Sequence, residues 1–424
     1  MSKKKSVFLI ISSLLLILLS LGVAYALNLY SQFQHVDLDA SDEDLGITAG
    51  TQVDTGTDIT NIALFGVDTR SDSFTGNSDS IMILSVDKQH NKIKLTSVLR
   101  DSLVQVDGYG YTKITEAYGL GGPTLAIKTL NQNFQLDIRD YATINFAGMA
   151  EIIDAVGGVT INVSSAEMDM LNGLAAQMAA SLGEPAPAKV TQPGPQILNG
   201  LQAVAYSRIR KVDNPDGSWG DYGRTDRQRA VMEQLFEKAM HMSPTQYPAF
   251  IQSILPYVET SLDIGEILNL ATIFSRDNIV FEQACVPSTE YTINAGYSYN
   301  GKSNVYYNLD YAAGLIHSFI YDDIPSETYI AQNTPPMTGP LDSSTASAKG
   351  SSASSSQKTT SSSKTTTNQT APSSSSTNKA SSSVAASSSS PSSAPVSSAA
   401  TSSSGNNSSG SESNLVDTET SKTE

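Results

Sequence analysis

The run from Val7 to about Leu27 is apolar and carries no charge. A helix that crosses a bilayer needs about 20 such residues. Lys3, Lys4 and Lys5 precede it, and Asp37, Asp39, Asp42, Glu43 and Asp44 follow it. That arrangement predicts an N-terminus held in the cytoplasm. Ala24-Tyr25-Ala26 also fits a small-x-small cleavage site, so a removed signal peptide is the alternative. The run exceeds the usual signal core of about 7–15 residues, which favours an uncleaved anchor. Either way, everything after residue 30 is expected outside the membrane.

Export limits the chemistry. Cys285 is the single cysteine, so a disulfide-stapled scaffold is excluded. Its plain reading is a small packing residue. With 4 histidines, no Cys or His spacing suits a zinc site. The formal net charge is −16, whereas nucleic-acid binders present a basic domain or face. No nucleic-acid partner is expected.

Four regions are expected: residues 1–30 as cytoplasmic stub and anchor, 31–60 as an extracellular linker, 61–325 as the catalytic domain and 326–424 as a tail. The domain is about 260 residues, the upper range for one core. From about Ser343 the composition collapses to Ser, Thr, Ala, Asn and Gln. Such a segment buries too little apolar surface to offset its chain entropy, so it is expected to be disordered. As a flexible coil it would span roughly 50 Å, and it reads as a spacer.

Within the domain, strands and helices alternate. Residues 62–68 and 80–87 are apolar runs bounded by turn residues, as in buried strands. Asp87-Lys-Gln-His-Asn91 joins the second to an alternating partner at 92–99. Gly121-Gly122-Pro123 opens a helix over about 123–133. A strand is predicted at 141–146, a helix from Phe146 to Val156 stopped by Gly157-Gly158, a strand at 159–163 and a helix from Met168 to Leu182. This pattern predicts an α/β fold, a central mixed sheet sandwiched by helices (α/β/α).

Tyr206–Arg229 concentrates positive charge in an acidic chain: Arg208, Arg210, Lys211, Arg224, Arg227 and Arg229. Thr225 and Gln228 fit a capping box, which would start a helix there and turn Arg227 and Gln228 over a cleft. Helix N-termini suit phosphate. Arg208 and Arg210, on extended chain after a helix capped by Asn199, would point the same way. Converging arginines repel by a few kcal/mol at an effective dielectric near 20, so they call for an anion. The alternative is surface pairing with Asp213, Asp216, Asp221 and Asp226. Asp68, in GVDTR with Arg70, ends one strand, and Asp79 begins the next. Together they suit Mg²⁺, which takes one or two carboxylates plus phosphate oxygens. Alone, each is a strand-capping turn residue. Arg100-Asp101 and Lys113 lie near the end of the third strand.

The ordered set GVDTR, SDSIMILSVD, SVLRDS, KITEAY, DAVGGV, LNGLQAVAYSRIR and DYGRTDRQR resembles the LytR–CpsA–Psr family of cell-wall enzymes. The resemblance covers nearly all of Asn61 to about Asp323. It implies a phosphotransferase on the outer membrane face of Gram-positive bacteria, in a single-pass protein. Such an enzyme takes a glycopolymer, such as teichoic acid or capsule polysaccharide, from a polyprenyl pyrophosphate carrier and joins it to peptidoglycan by a phosphodiester. Carried over, Asp68 and Asp79 bind Mg²⁺, while Arg100, Arg208, Arg210, Arg224 and Gln228 hold the pyrophosphate. Asp221 is the candidate general base, with Arg100 and Arg210 as catalytic partners. Lys113 and Arg227 fall in family motifs near the pyrophosphate. Two departures stand out: Asn77 replaces a usual arginine, for which Arg70 could substitute, and Leu99 replaces a usual proline. An apolar tunnel for the lipid would be walled by the helices at 146–156 and 168–182, or these are ordinary core. Two other readings share the sequence: a pyrophosphatase with water as acceptor, and a non-catalytic surface protein on a Ser-rich stalk.

Overall fold

The computed structural model describes residues 34–48, 59–69, 74–214, 217–243, 245–276 and 278–342. The apolar run at 7–27, Arg70 and the Ser-rich segment from Ser343 lie outside the described residues. Among the described residues, no helix is long and apolar enough to cross a membrane.

In chain order the elements are β1 (Gln34–His35), β2 (Ile59–Val67), β3 (Ser78–Asp87), β4 (Lys92–Val98), β5 (Leu103–Val106), β6 (Gly110–Lys113), α1 (Ile114–Phe134) and β7 (Asp140–Asn145). Next come α2 (Phe146–Ala155), β8 (Val159–Val163), α3 (Met168–Leu182), β9 (Gly194–Leu198), α4 (Gly200–Ser207), α5 (Gly220–Met240) and α6 (Tyr247–Ile254). The last are β10 (Val258–Thr260), α7 (Ile264–Ala271), β11 (Val280–Val286), β12 (Thr292–Tyr299), β13 (Lys302–Tyr307), α8 (Leu309–Ile320) and α9 (Ser326–Gln332).

Seven strands form one mixed sheet in the order β1-β10-β7-β2-β3-β4-β11. β2, β3 and β4 run antiparallel to one another, whereas β7 joins β2 and β11 joins β4 in parallel. The β3–β4 turn works as the sequence suggests. Asp87 accepts from the backbone of His90, and Asn91 takes the left-handed conformation at φ 54°.

Strand residues alternate between the two faces. Ala63, Phe65, Val67, Ile81 and Ile83 pack into one core with Ile127 and Leu130 of α1 and Leu315 and Ile316 of α8. Ile62, Leu64, Met82 and Leu84 face the other way, toward α5, α6 and α7. The sheet is therefore covered on both faces, as expected. A second core joins α2, α3, α4 and the β8–β9 ribbon. Residues 159–163 form the strand foreseen, but in that ribbon and outside the central sheet.

Three expectations change. The 31–60 linker is partly folded: β1 pairs with β10, and Leu45 is buried in the first core. The tail does not begin at 326, because α9 occupies Ser326–Gln332 and Tyr329 packs on Tyr311 of α8. The helix expected at 123–133 is the second half of α1, which starts at Ile114 and kinks at Gly121-Gly122.

Candidate functional site

The chain leaving the C-terminal end of β4 places Arg100. Its guanidinium donates to Asp79 and lies 3.5 Å from Asp221 and 3.7 Å from Asp101. Lys113 pairs with Asp101 at 2.9 Å. Asp221 sits in the first turn of α5, where its charge complements the helix dipole. Its Oδ1 accepts from Arg210 at 2.7 Å and pairs with Arg224 at 2.9 Å. Arg100, Arg210 and Arg224, separated by up to 124 positions in the chain, thus meet at one carboxylate.

The cluster is incomplete. Arg100 Nε, Arg224 Nε and Asp221 Oδ2 are buried and have no hydrogen-bond partner among the described residues. Leaving a buried charged donor unmatched costs more than about 1–3 kcal/mol. Burial opposes the charge on Arg100, but Asp79, Asp221 and Asp101 outweigh it and hold the guanidinium above its ordinary pKa. At Arg224 burial wins, with the neighbouring Arg100 acting in the same direction against Asp221, and the pKa falls below its ordinary value. An anion supplied from outside would satisfy these donors and offset the mutual repulsion.

Asp68 follows β2, and Asp79 is the extra residue where the β2–β3 register slips between Gly66 and Val67. Because β2 and β3 are antiparallel neighbours, both carboxylates lie at the same end of the sheet. Gly66 permits the close approach, since a Cβ there would meet Ser80 Cβ at 2.9 Å. Among the described residues no group of three or more metal-ligating side chains exists. Two hard oxygen donors beside a site for phosphate nonetheless match the habit of Mg²⁺.

Other expected residues divide. Gln228 lines an apolar cavity, one turn beyond Arg224. Arg208 does not run parallel to Arg210. It stays helical (φ −99°, ψ −5°) as the C-cap of α4, so the two-residue strand period does not apply. Its guanidinium lies 4.6 Å from the Phe146 ring centroid, in a small cavity of about 100 Å³ shared with Asp68. Asn77 lies against α1, its side-chain oxygen 2.5 Å from where a Cβ on Gly119 would stand.

Arg227 is a correction. It faces away from the cleft, donating to Glu167 at 2.8 Å and to the backbone carbonyls of Ile209 and Val212 at 3.1 and 2.8 Å. The cause is the helix start. α5 begins at Gly220 after an extended Trp219, and Thr225 is no cap; it donates to the carbonyl of Asp221 at 3.0 Å. With its cap six residues earlier, at Trp219 in place of Thr225, α5 carries Arg227 into the second core.

Two apolar cavities of about 310 and 300 Å³ lie between the sheet and the helices α5 and α6. They adjoin, sharing Leu64, Ala142, Phe236, Ala239, Phe250, Ile254 and Val258 as walls. Ser80, next to Asp79, and Gln228 lie on the first. Of the two helices expected to wall a tunnel, α2 does so through Phe146, Met149 and Ile152, but α3 does not. α3 packs in the second core and borders the small cavity at Asp68. α5 and α6 take its place. The α6 wall was missed in the sequence, although Phe250, Ile251 and Ile254 carry a helical spacing.

A family model described as the LytR_cpsA_psr family matches residues 27–313. The Biofilm regulatory protein A of Streptococcus mutans serotype c is 32% identical over 274 residues, 62% of this chain and 64% of that protein. The polyisoprenyl-teichoic acid–peptidoglycan teichoic acid transferase TagU of Oceanobacillus iheyensis is 35% identical over 231 residues, 52% of this chain and 65% of that protein. The chain thus spans just under two thirds of the length of either relative. A solved structure titled "TagT bound to LI-WTA" shares the fold with a TM-score of 0.51, covering 68% of this chain and 99% of that one at 21% identity.

Proposed function

The chain belongs to the LytR_cpsA_psr family, and from that premise we propose a membrane-anchored phosphotransferase of the Gram-positive cell surface. It moves a glycopolymer from a polyprenyl pyrophosphate carrier to peptidoglycan through a phosphodiester. The observation that carries this reading is the unmatched Arg100–Arg224 cluster beside two adjoining apolar cavities. Gln228, one helical turn beyond Arg224, and Ser80, next to Asp79, lie on the wall of the first. A pyrophosphate with a long apolar tail satisfies both at once. The name of the TagU relative fits the same substrate pair. The apolar run at 7–27, as an anchor, keeps the enzyme where its lipid donor stays.

Phosphoryl transfer depends mostly on positioning and charge stabilisation. Arg100, Arg210 and Arg224 hold the pyrophosphate and stabilise the departing polyprenyl phosphate. Lys113 braces Asp101 beside Arg100. Mg²⁺, held by Asp68 and Asp79, would neutralise charge on the phosphate oxygens. Asp221 Oδ2, without a hydrogen-bond partner among the described residues, takes the proton of the attacking sugar hydroxyl. The acceptor oxygen bonds to the sugar-side phosphorus as the bridge to the carrier phosphate breaks.

The test is a transfer assay with the full chain in detergent, a polyprenyl-pyrophosphoryl oligosaccharide, peptidoglycan fragments and Mg²⁺. Linked product is expected, and Arg100→Ala and Arg210→Ala abolish it while circular dichroism stays unchanged. Release of phosphorylated sugar without linkage would identify a pyrophosphatase instead.

A further inference from the structure

The charged cluster occupies one side of the first turns of α5. The other side borders a separate cavity of about 750 Å³, formed with β11, the 288–290 loop and the start of α9. We propose that this second cavity binds an uncharged saccharide chain, and that it is the subsite for the acceptor glycan. The saccharide assignment stands on the cavity alone; its role as acceptor rests on the phosphotransferase reading.

Trp219 is the only tryptophan in the chain, and it stands at the rim, 68% exposed. An exposed indole presents a flat apolar face beside a polar cavity. Sugars match that pair: an apolar C–H face with hydroxyl edges. A polar atom in the cavity wall completes the match. Gln283 donates to Glu233 at 3.0 Å, and its Oε1 is buried and has no hydrogen-bond partner among the described residues. Arg229, beside it on the wall, is already engaged by Asp226 and by the Cys285 thiol. An unmatched amide oxygen among carboxylates suits a hydroxyl, which donates to either.

Charge selects the class of sugar. Asp226, Glu233, Glu290 and Glu327 line the cavity against the one arginine. That excess of carboxylates repels a phosphate-bearing polymer and accepts a neutral chain. The donor side of α5 has the opposite character. Its first turn sends Asp221 to the arginines and Tyr222 to the cavity wall, where the Tyr222 hydroxyl lies 2.6 Å from Thr292 Oγ1. The two polymers would thus approach the proton acceptor from opposite sides of one helix turn.

With a single tryptophan, the emission of the full chain in detergent reports this cavity directly. Titration with chitotetraose, a neutral oligosaccharide, is expected to give a saturable change in emission. Gln283→Ala and Glu233→Ala should each weaken that binding by about tenfold, and Arg224→Ala should leave it intact. No saturable change, or wild-type affinity in both the Gln283→Ala and Glu233→Ala variants, overturns the proposal. This readout needs no chemistry. Saccharide binding without any transfer product would sink the transferase reading and leave the cavity assignment standing; transfer without binding at Trp219 would do the reverse.

Discussion

Arg224 and Arg227 lie one turn apart on the same helix and are both buried, at 4% and 1% exposure. They differ in how completely they are matched. Arg227 meets Glu167 and two backbone carbonyls, and Glu167 in turn accepts from the backbone and hydroxyl of Ser164 at 2.9 and 2.7 Å. Arg224 shares one carboxylate with two other arginines, and its Nε has no partner among the described residues. Burial alone therefore does not distinguish structure from function. A buried cation with its partners in place holds the fold together, and one without them awaits a ligand. Arg227 also fixes the carbonyls of Ile209 and Val212, on either side of Arg210, so the matched arginine positions a member of the unmatched set.

The largest effect that sharpens this contrast is on stability. Arg227→Ala leaves Glu167 buried and uncompensated, which costs about 3–5 kcal/mol, read as a lower denaturation midpoint. A shift of a few tenths of a kcal/mol would break the comparison. Arg224→Ala should do the opposite. The fold persists, because Arg210 and Arg100 still hold Asp221, while transfer falls by about 10²–10³-fold, as when one transition-state donor is removed. Next comes the apolar space. Ala239 borders both cavities, so Ala239→Phe fills room meant for the lipid chain. Affinity for a long polyprenyl pyrophosphate should drop about tenfold, with inorganic pyrophosphate binding unchanged in a calorimetric titration.

The smallest effect tests a third buried cation. Lys94 donates to the carbonyls of Phe319 and Ile320 and pairs with Asp323 at 2.9 Å, so it belongs with Arg227. Burial raises the Asp323 carboxyl, but Lys92 and Lys94 outweigh it and hold its pKa below the ordinary value. A depressed folded pKa gives stability that is present above the unfolded value of about 3.9 and lost as pH falls through the folded one. Acidification below about pH 4 should therefore narrow the gap in melting temperature between the wild type and Asp323→Asn. The partial exposure of Asp323 keeps the gap small. A constant gap across that range would contradict the pairing.

The sequence displayed some of this and concealed the rest for physical reasons. β2 and β3 were legible because buried strands are continuous apolar runs bounded by turn residues, and β4 because it alternates after a turn. β11 was not, because VFEQACV lies at the sheet edge and mixes outward polar residues with buried Ala284 and Val286. The convergence of Arg100, Arg210 and Arg224 was readable from the density of arginines and from motif order. The inward turn of Arg227 was not, since it depends on Glu167, 60 residues away, and on a helix capped at Trp219 in place of Thr225. The saccharide cavity left almost no trace either, for its polar walls come from α5, β11 and α9.

The most direct measurement is equilibrium binding of a short-chain polyprenyl pyrophosphate to the full chain in detergent, beside the matching polyprenol. If unmatched guanidinium groups beside an apolar space define the site, the wild type binds the pyrophosphate at least tenfold more tightly than the alcohol, and Arg224→Ala erases that difference. Equal affinity for both lipids in the wild type, or a preference that survives in Arg224→Ala, would contradict it.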